Sequence, residues 1–212
     1  MLPISEAKLY GILDLGYVER GEIVRVTEQM LAGGIDVIQL RAKNFGEADI
    51  EDMARDILPL TRGAGIPLIV NDFPEIAAKI GADGIHVGHD DLPVSKVREI
   101  VGDEMILGKS THSLGQARAA ASETGVDYIG FGPLFATPTK PDYVPIGTED
   151  IAQVHREVEL PIFCIGGIKQ ENAEGILQAG ARRLVIVSGI LKADDIPGYV
   201  RDVKRMVLSD FG

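Results

Sequence analysis

Three groups of side chains in this sequence have types and spacings suited to chemistry on anions. The first is a pair of carboxylates, Asp72 directly after Asn71 and Asp91 at the end of Gly88-His89-Asp90-Asp91. Two hard oxygen donors suit Mg²⁺, which keeps several waters and shares phosphate oxygens. The second group is cationic: Arg41, Lys43 and Lys140, with the Gln39 amide two residues ahead of Arg41. Alternation along an extended strand points residues 39, 41 and 43 to one side, and a guanidinium grips phosphate oxygens bidentately. The third is Gly166-Gly167 together with Val187-Ser188-Gly189, where small residues let backbone N–H groups approach an anion. A polyanion held by metal and cations, beside a monoanion held by amides, implies two substrates.

Each of these groups follows a short apolar run. Eight such runs recur: Leu9–Leu13, Asp36–Leu40, Leu68–Val70, Gly84–Val87, Met105–Leu107, Tyr128–Phe131, Ile162–Ile165 and Leu184–Val187. All are too short for helices, and most lack polar alternation, so they read as strands buried on both faces. Between them lies helical spacing, clearest at Ile50, Met53, Ala54, Ile57 and Leu58 and briefer at Val97, Ile100 and Val101. Similar helix-to-strand joints return at Gly34-Ile35-Asp36, Gly81-Ala82-Asp83, Gly125-Val126-Asp127 and Gly180-Ala181-Arg182. Eight strand–helix units in order, with no linker or composition break, predict an α/β fold: one (β/α)8 barrel domain over residues 1–212. A doubly wound sheet is the architectural competitor. Barrel enzymes carry their chemistry at the C-terminal ends of the strands, and polar or glycine residues follow nearly every run here. The strand starts carry mostly Gly, Pro and Asp, which need no function.

Each residue also has a plainer reading. Asp72 is able to serve as a turn residue or helix cap, and Asp90 and Asp91 as caps of a helix starting near Pro93. Thr137-Pro138-Thr139-Lys140 reads as a simple loop or as a lid over substrate. Ser110 has only His112 as a base within its motif and no third residue to orient it, so a serine nucleophile is the weaker reading. His86 lies inside an apolar run and reads as a packed barrel residue, while His89 and His155 read as surface. Cys164 reads as core. Lys109 points away from Ser110 by alternation, towards the helix layer or a salt bridge.

Composition narrows the classes further. The chain has 212 residues, 45% hydrophobic and 25% charged, with a formal net charge of -11. That balance argues against nucleic acid and anionic membranes as partners, since both attract basic surface. One cysteine, Cys164, fits a reducing cytoplasm. The start of the chain, Met1 to Tyr10, has no basic and apolar leader pattern, and no apolar run approaches the ~20 residues of a membrane span. The expected partners are small molecules, and the oligomeric state is not specified.

The strand ends, in order, resemble those of the thiamine phosphate synthase family, which also contains thiazole tautomerases. The motifs that carry the resemblance are Gln39-x-Arg41-x-Lys43, Asn71-Asp72, Gly84-Ile85-His86-Val87-Gly88-His89-Asp90-Asp91 and Gly108-x-Ser110-x-His112. They continue in Gly130-x-Gly132-Pro133, Thr137-x-Thr139-Lys140, Gly166-Gly167-Ile168 and Val187-Ser188. The resemblance implies condensation of a hydroxymethylpyrimidine diphosphate with a thiazole phosphate, in which diphosphate leaves before the thiazole nitrogen captures the pyrimidine carbocation. It assigns Asp72 and Asp91 to Mg²⁺, and Gln39, Arg41, Lys43, Asn71, Ser110 and Lys140 to the diphosphate or the pyrimidine. Of these, Ser110, Lys140, Arg41 and Lys43 form the expected catalytic group. Thr137, Thr139, Gly167, Val187 and Ser188 are assigned to the thiazole phosphate. Two departures from the family pattern are Lys109, where an aliphatic residue is usual, and His89, where Gln is usual. The alternatives are a tautomerase using His112 without metal, and a non-catalytic barrel that binds a phosphorylated metabolite.

Overall fold

In the computed structural model, which describes residues 1–89, 91–137 and 144–209, eight parallel strands pair in chain order and the eighth returns to the first, closing a barrel. The strands are β1 (Leu9–Asp14), β2 (Val37–Arg41), β3 (Leu68–Asn71), β4 (Gly84–Val87), β5 (Ile106–Thr111), β6 (Tyr128–Phe131), β7 (Ile162–Cys164) and β8 (Leu184–Ile186). Helices α1 (Ile23–Gly33), α2 (Glu47–Gly63), α3 (Pro74–Ile80), α4 (Val94–Val101), α5 (Leu114–Ser122), α6 (Ile151–Glu157) and α7 (Gln170–Gln178) fill the crossovers. A short α8 (Ser188–Leu191) follows β8, and α9 (Ile196–Leu208) completes the described chain. The (β/α)8 expectation therefore holds. Among the described residues, no helix is long and apolar enough to cross a membrane.

Two apolar layers hold the barrel. The larger lies between sheet and helices and contains the whole periodic set of α2: Ile50, Met53, Ala54, Ile57 and Leu58 are all buried there. The smaller fills the barrel interior with Ala7, Tyr10, Ile12, Val37, Ile69, Tyr128, Phe163 and Val185. Cys164 is fully buried in the outer layer, as its place in the seventh run predicts. Lys109 also points outward, to an ion pair with Glu123 at the end of α5.

Strand boundaries differ from the apolar runs in a systematic way. β1, β2, β3 and β5 extend into the polar residues Asp14, Arg41, Asn71 and Lys109-Ser110-Thr111. β5 also starts at Ile106 rather than Met105, and β2 at Val37 rather than Asp36, while β7 and β8 stop one residue short of Ile165 and Val187. Strand ends are fixed by the backbone ladder, which hydropathy does not report. The extensions matter because they set register: Asp14 lies beside Arg41, Asn71 beside His86, and Ser110 beside Gly130.

At the strand starts, three of the recurrent joints share one device. Asp36 accepts the N–H groups of Lys8 and Leu9 at 2.8 and 2.9 Å. Asp83 accepts that of Leu68 at 2.9 Å, and Asp127 that of Leu107 at 2.7 Å. The aspartate ahead of β2, β4 and β6 thus anchors the start of β1, β3 and β5. Each also faces a cation: Lys204 for Asp36, Arg62 at 3.9 Å for Asp83 and Arg98 at 2.8 Å for Asp127.

Candidate active site

The opposite mouth of the barrel opens into a pocket that reaches down to Tyr10, Tyr128 and Phe163. Gln39, Arg41, Asn71, Ser110, Thr137, Gly167, Val187 and Ser188 all line it. Eight of the residues singled out in the sequence, from strands or strand ends far apart in the chain, therefore share one cavity. Lys43, Asp72 and Asp91 do not line it; Asp72 directly follows Asn71, which does, and contacts both Lys43 and Asp91. Asp90, Thr139 and Lys140 lie outside the described residues, as do all of residues 138–143.

On the β2 side, Arg41 is held by a residue that hydropathy does not reveal. Asp14, buried at the end of β1, meets its guanidinium at 2.6 Å and also accepts the Gly16 N–H at 2.8 Å. The pairing fixes one edge of the fork and leaves its other N–H donors for an anion in the pocket. The only signal in the sequence is an aspartate closing the first apolar run. Lys43, just past the strand, is exposed and pairs with Asp72 at 3.0 Å.

Asp72 is neither a cap nor an ordinary turn residue. The cap position of α3 is Phe73, and no side chain caps that helix. Asp72 itself has φ +67°, a left-handed conformation that costs an L-residue roughly 1–2 kcal/mol. Its backbone N–H donates to the His86 carbonyl at 2.9 Å. Burial raises its carboxyl above the usual carboxylate range; the Lys43 ammonium opposes this, and the adjacent Asp91 carboxyl adds to it. Asp91 does not cap α4, whose cap position is Pro93. Its carboxylate instead accepts the Gly88 N–H at 2.6 Å and lies against the Asp72 carboxyl. Two carboxylates crowded together at a partly buried site suit a divalent cation. No cluster of three or more acidic, His or Cys ligands occurs among the described residues.

Across the pocket, Gly166 and Gly167 follow β7 with φ +100° and +66°. A side chain at either position would collide with the 133–136 segment: a Cβ would sit 2.4 Å from Pro133 Cα at Gly166 and 2.7 Å from Phe135 Cβ at Gly167. Asn172 of α7 secures the turn, donating to the Gly167 carbonyl at 3.0 Å and accepting from the Lys169 N–H at 2.8 Å. Among the described residues, no acceptor takes the N–H of Gly167 or Ser188, so both remain able to bind an anion.

The histidines and Ser110 depart from expectation. His86 is not simply packed: it lines the pocket, with Nε2 2.9 Å from Ser110 Oγ and Nδ1 3.0 Å from the Tyr128 hydroxyl. Ser110 is therefore partnered by His86 on the neighbouring strand, not by His112. His112 instead has its Nδ1 against the Gly132 carbonyl, and a carbonyl only accepts, so that nitrogen carries the proton. His89 is exposed as expected. His155 is half-buried, and burial together with Arg182 and Arg183 lowers its pKa to about 4. The surface reading fails there because α6 turns that side chain partly inward. Tyr10 and Tyr128 went unmarked because a tyrosine within an apolar run looks like core; both are buried, yet both line the pocket, and their hydroxyls lie 3.0 Å apart.

A (β/α)8 barrel whose C-terminal mouth gathers polar side chains and glycine turns around one pocket has the placement of chemistry shared by barrel enzymes. Residues 9–190 match the family model described as thiamine monophosphate synthase. A thiamine-phosphate synthase of Pelotomaculum thermopropionicum is 43% identical over 205 residues, 96% of this chain and 94% of its own. One from Chloroflexus aurantiacus is 41% identical over 206 residues, with the same coverage. Among solved structures, a thiamine phosphate pyrophosphorylase from Pyrococcus furiosus superposes with a TM-score of 0.88 at 30% identity, covering 99% of each chain. The chain belongs to the thiamine monophosphate synthase family, transferases of thiamine biosynthesis.

Proposed function

We propose that this chain, as one catalytic domain, joins a hydroxymethylpyrimidine diphosphate to a thiazole phosphate, giving thiamine phosphate and diphosphate. The observation that supports the reading is the gathering of unlike polar groups at one barrel mouth. Arg41, Lys43, Asp72 and Asp91 gather on one side, and on the other the amides of Gly167 and Ser188, which no acceptor takes among the described residues.

The C–O bond to diphosphate breaks first, its electron pair leaving on the diphosphate oxygen. The thiazole nitrogen lone pair then forms the new C–N bond to the pyrimidine carbocation. No proton moves in these steps, so no general base is required. Asp72 and Asp91 would hold Mg²⁺, which supplies positive charge next to the departing diphosphate. Arg41, oriented by Asp14, and Lys43 bind the same oxygens, with Lys140 assigned beside them. Such fixed charges act where negative charge develops and so favour the transition state. Gln39, Asn71 and Ser110 hold the pyrimidine and its adjoining diphosphate. Thr137 and Thr139, with the backbone of Gly167, Val187 and Ser188, hold the thiazole phosphate. The single buried thiol, Cys164, supports assignment to the cytoplasm.

Purified protein mixed with both substrates is expected to release diphosphate only when Mg²⁺ is present. Interconversion of thiazole tautomers without metal, and no diphosphate release, would overturn the reading.

A further inference from the structure

Five polar side chains on five strands form one continuous hydrogen-bonded chain through the barrel interior. Gln39 Nε2 on β2 donates to the Tyr10 hydroxyl of β1 at 2.8 Å, which lies 3.0 Å from the Tyr128 hydroxyl of β6. That hydroxyl is 3.0 Å from His86 Nδ1 on β4, and His86 Nε2 is 2.9 Å from Ser110 Oγ on β5. The room for it comes from a glycine: a Cβ at Gly108 would lie 2.1 Å from Tyr128 Cζ. Gln39 and Ser110, the two ends of the chain, both line the pocket and keep polar capacity for a ligand.

The direction of the chain follows from counting protons. Burial raises both phenol pKa values, so each tyrosine keeps its single proton. An amide nitrogen only donates, so Tyr10 accepts from Gln39 and its own proton goes to Tyr128. Tyr128 in turn donates to His86 Nδ1, which must be unprotonated. The neutral imidazole then carries its proton on Nε2 and donates it to Ser110. Ser110 is left with its hydroxyl proton for the pocket, and Gln39 with its carbonyl oxygen. Reversing one link alone would set two donors or two acceptors against each other in a buried site, so the chain reverses as a whole or not at all.

We propose that Tyr10, Tyr128 and His86 are positioning residues that fix Gln39 as an acceptor and Ser110 as a donor, and thereby select an amino-substituted over an oxo-substituted heterocycle. An exocyclic amine donates to the Gln39 oxygen. A ring carbonyl at the same place meets that oxygen head-on. Turning the Gln39 amide to accommodate the carbonyl requires inverting the other four members, which converts Ser110 into an acceptor. This selectivity rests on the pyrimidine occupying the Gln39 side of the pocket, as in the proposed function.

Two measurements test it. With ¹⁵N-histidine-labelled protein at about pH 8, where imidazoles are neutral, long-range ¹⁵N–¹H correlation is expected to show His86 as the Nε2–H tautomer. An Nδ1–H tautomer means the opposite polarity and overturns the proposal, whether or not the protein turns over any substrate. The second measurement compares kcat/KM for the 4-amino pyrimidine diphosphate and its 4-oxo analogue. Wild type is expected to prefer the amine by about 10²-fold or more. Tyr128→Phe keeps the ring but cuts the chain, and is expected to reduce that preference at least ~10-fold, with the KM for thiazole phosphate unchanged. Tyr10→Phe is expected to act in the same way. Undiminished discrimination in both folded variants overturns the proposal. Failure of wild type to use the amine substrate overturns the proposed function instead, and the tautomer then decides the fate of the chain's polarity.

Discussion

The two ends of this barrel use the same residue type in opposite ways. At the strand starts, Asp36, Asp83 and Asp127 each take a backbone N–H from the neighbouring strand and face a cation from a helix. Their acceptor capacity is directed at the fold. At the strand ends, Asp72 faces another carboxylate, sits in a left-handed backbone conformation and has a raised pKa. Asp14 lies between these cases, since it binds Arg41 and a backbone N–H but does so at the pocket wall. The two ends differ in what the carboxylates meet: a backbone N–H and a helix cation at the strand starts, and at the mouth a second carboxylate beside the Lys43 ammonium.

The contrast is broken most forcefully at the mouth. Asp72→Asn, which tolerates the left-handed backbone, is expected to lower kcat/KM by about 10²-fold or more, and Asp91→Asn similarly. Stability should move the other way. A carboxyl whose folded pKa is raised contributes stability below its unfolded pKa, and this is lost as pH rises through the folded value. In metal-free buffer at neutral pH, Asp72→Asn should therefore melt no lower than wild type.

The strand starts should show the reverse. Asp127→Ala leaves the Leu107 N–H and Arg98 without their shared acceptor, and is expected to cost about 2 kcal/mol in urea unfolding with kcat/KM per folded molecule unchanged. Asp14→Asn sharpens the intermediate case. It removes the charge that orients Arg41 and is expected to cost ~10-fold in kcat/KM, with a smaller change in stability. The smallest effect belongs to His155, away from both ends. Its folded pKa of about 4 is depressed, so its contribution is present above the unfolded value near 6.5 and lost as pH falls towards 4. His155→Gln should lose about 1 kcal/mol less stability than wild type over that window, read from unfolding curves at a series of pH values.

Much of this was legible in the sequence. Eight apolar runs and the repeated glycine-to-aspartate joints gave strand number and order, because parallel strands covered on both faces leave continuous apolar runs. Gln39, Arg41, Asn71 and Ser110 were visible as polar residues at the ends of such runs. Asp14, Tyr10 and Tyr128 were not. Their roles depend on register between strands, which places Asp14 beside Arg41 and lets two tyrosines from β1 and β6 meet across the interior. His86 was misread for the same reason: its partners Ser110 and Tyr128 lie 24 and 42 residues away. The structural work of the strand-start aspartates was also invisible, although their spacing was plain.

The most direct test measures diphosphate release by wild type, Asp72→Asn and Asp127→Ala in one assay with saturating Mg²⁺, normalised to folded protein. The account predicts a loss of about 10²-fold or more for Asp72→Asn and wild-type turnover for Asp127→Ala. Comparable turnover by the two variants, or the greater loss at Asp127, would contradict it.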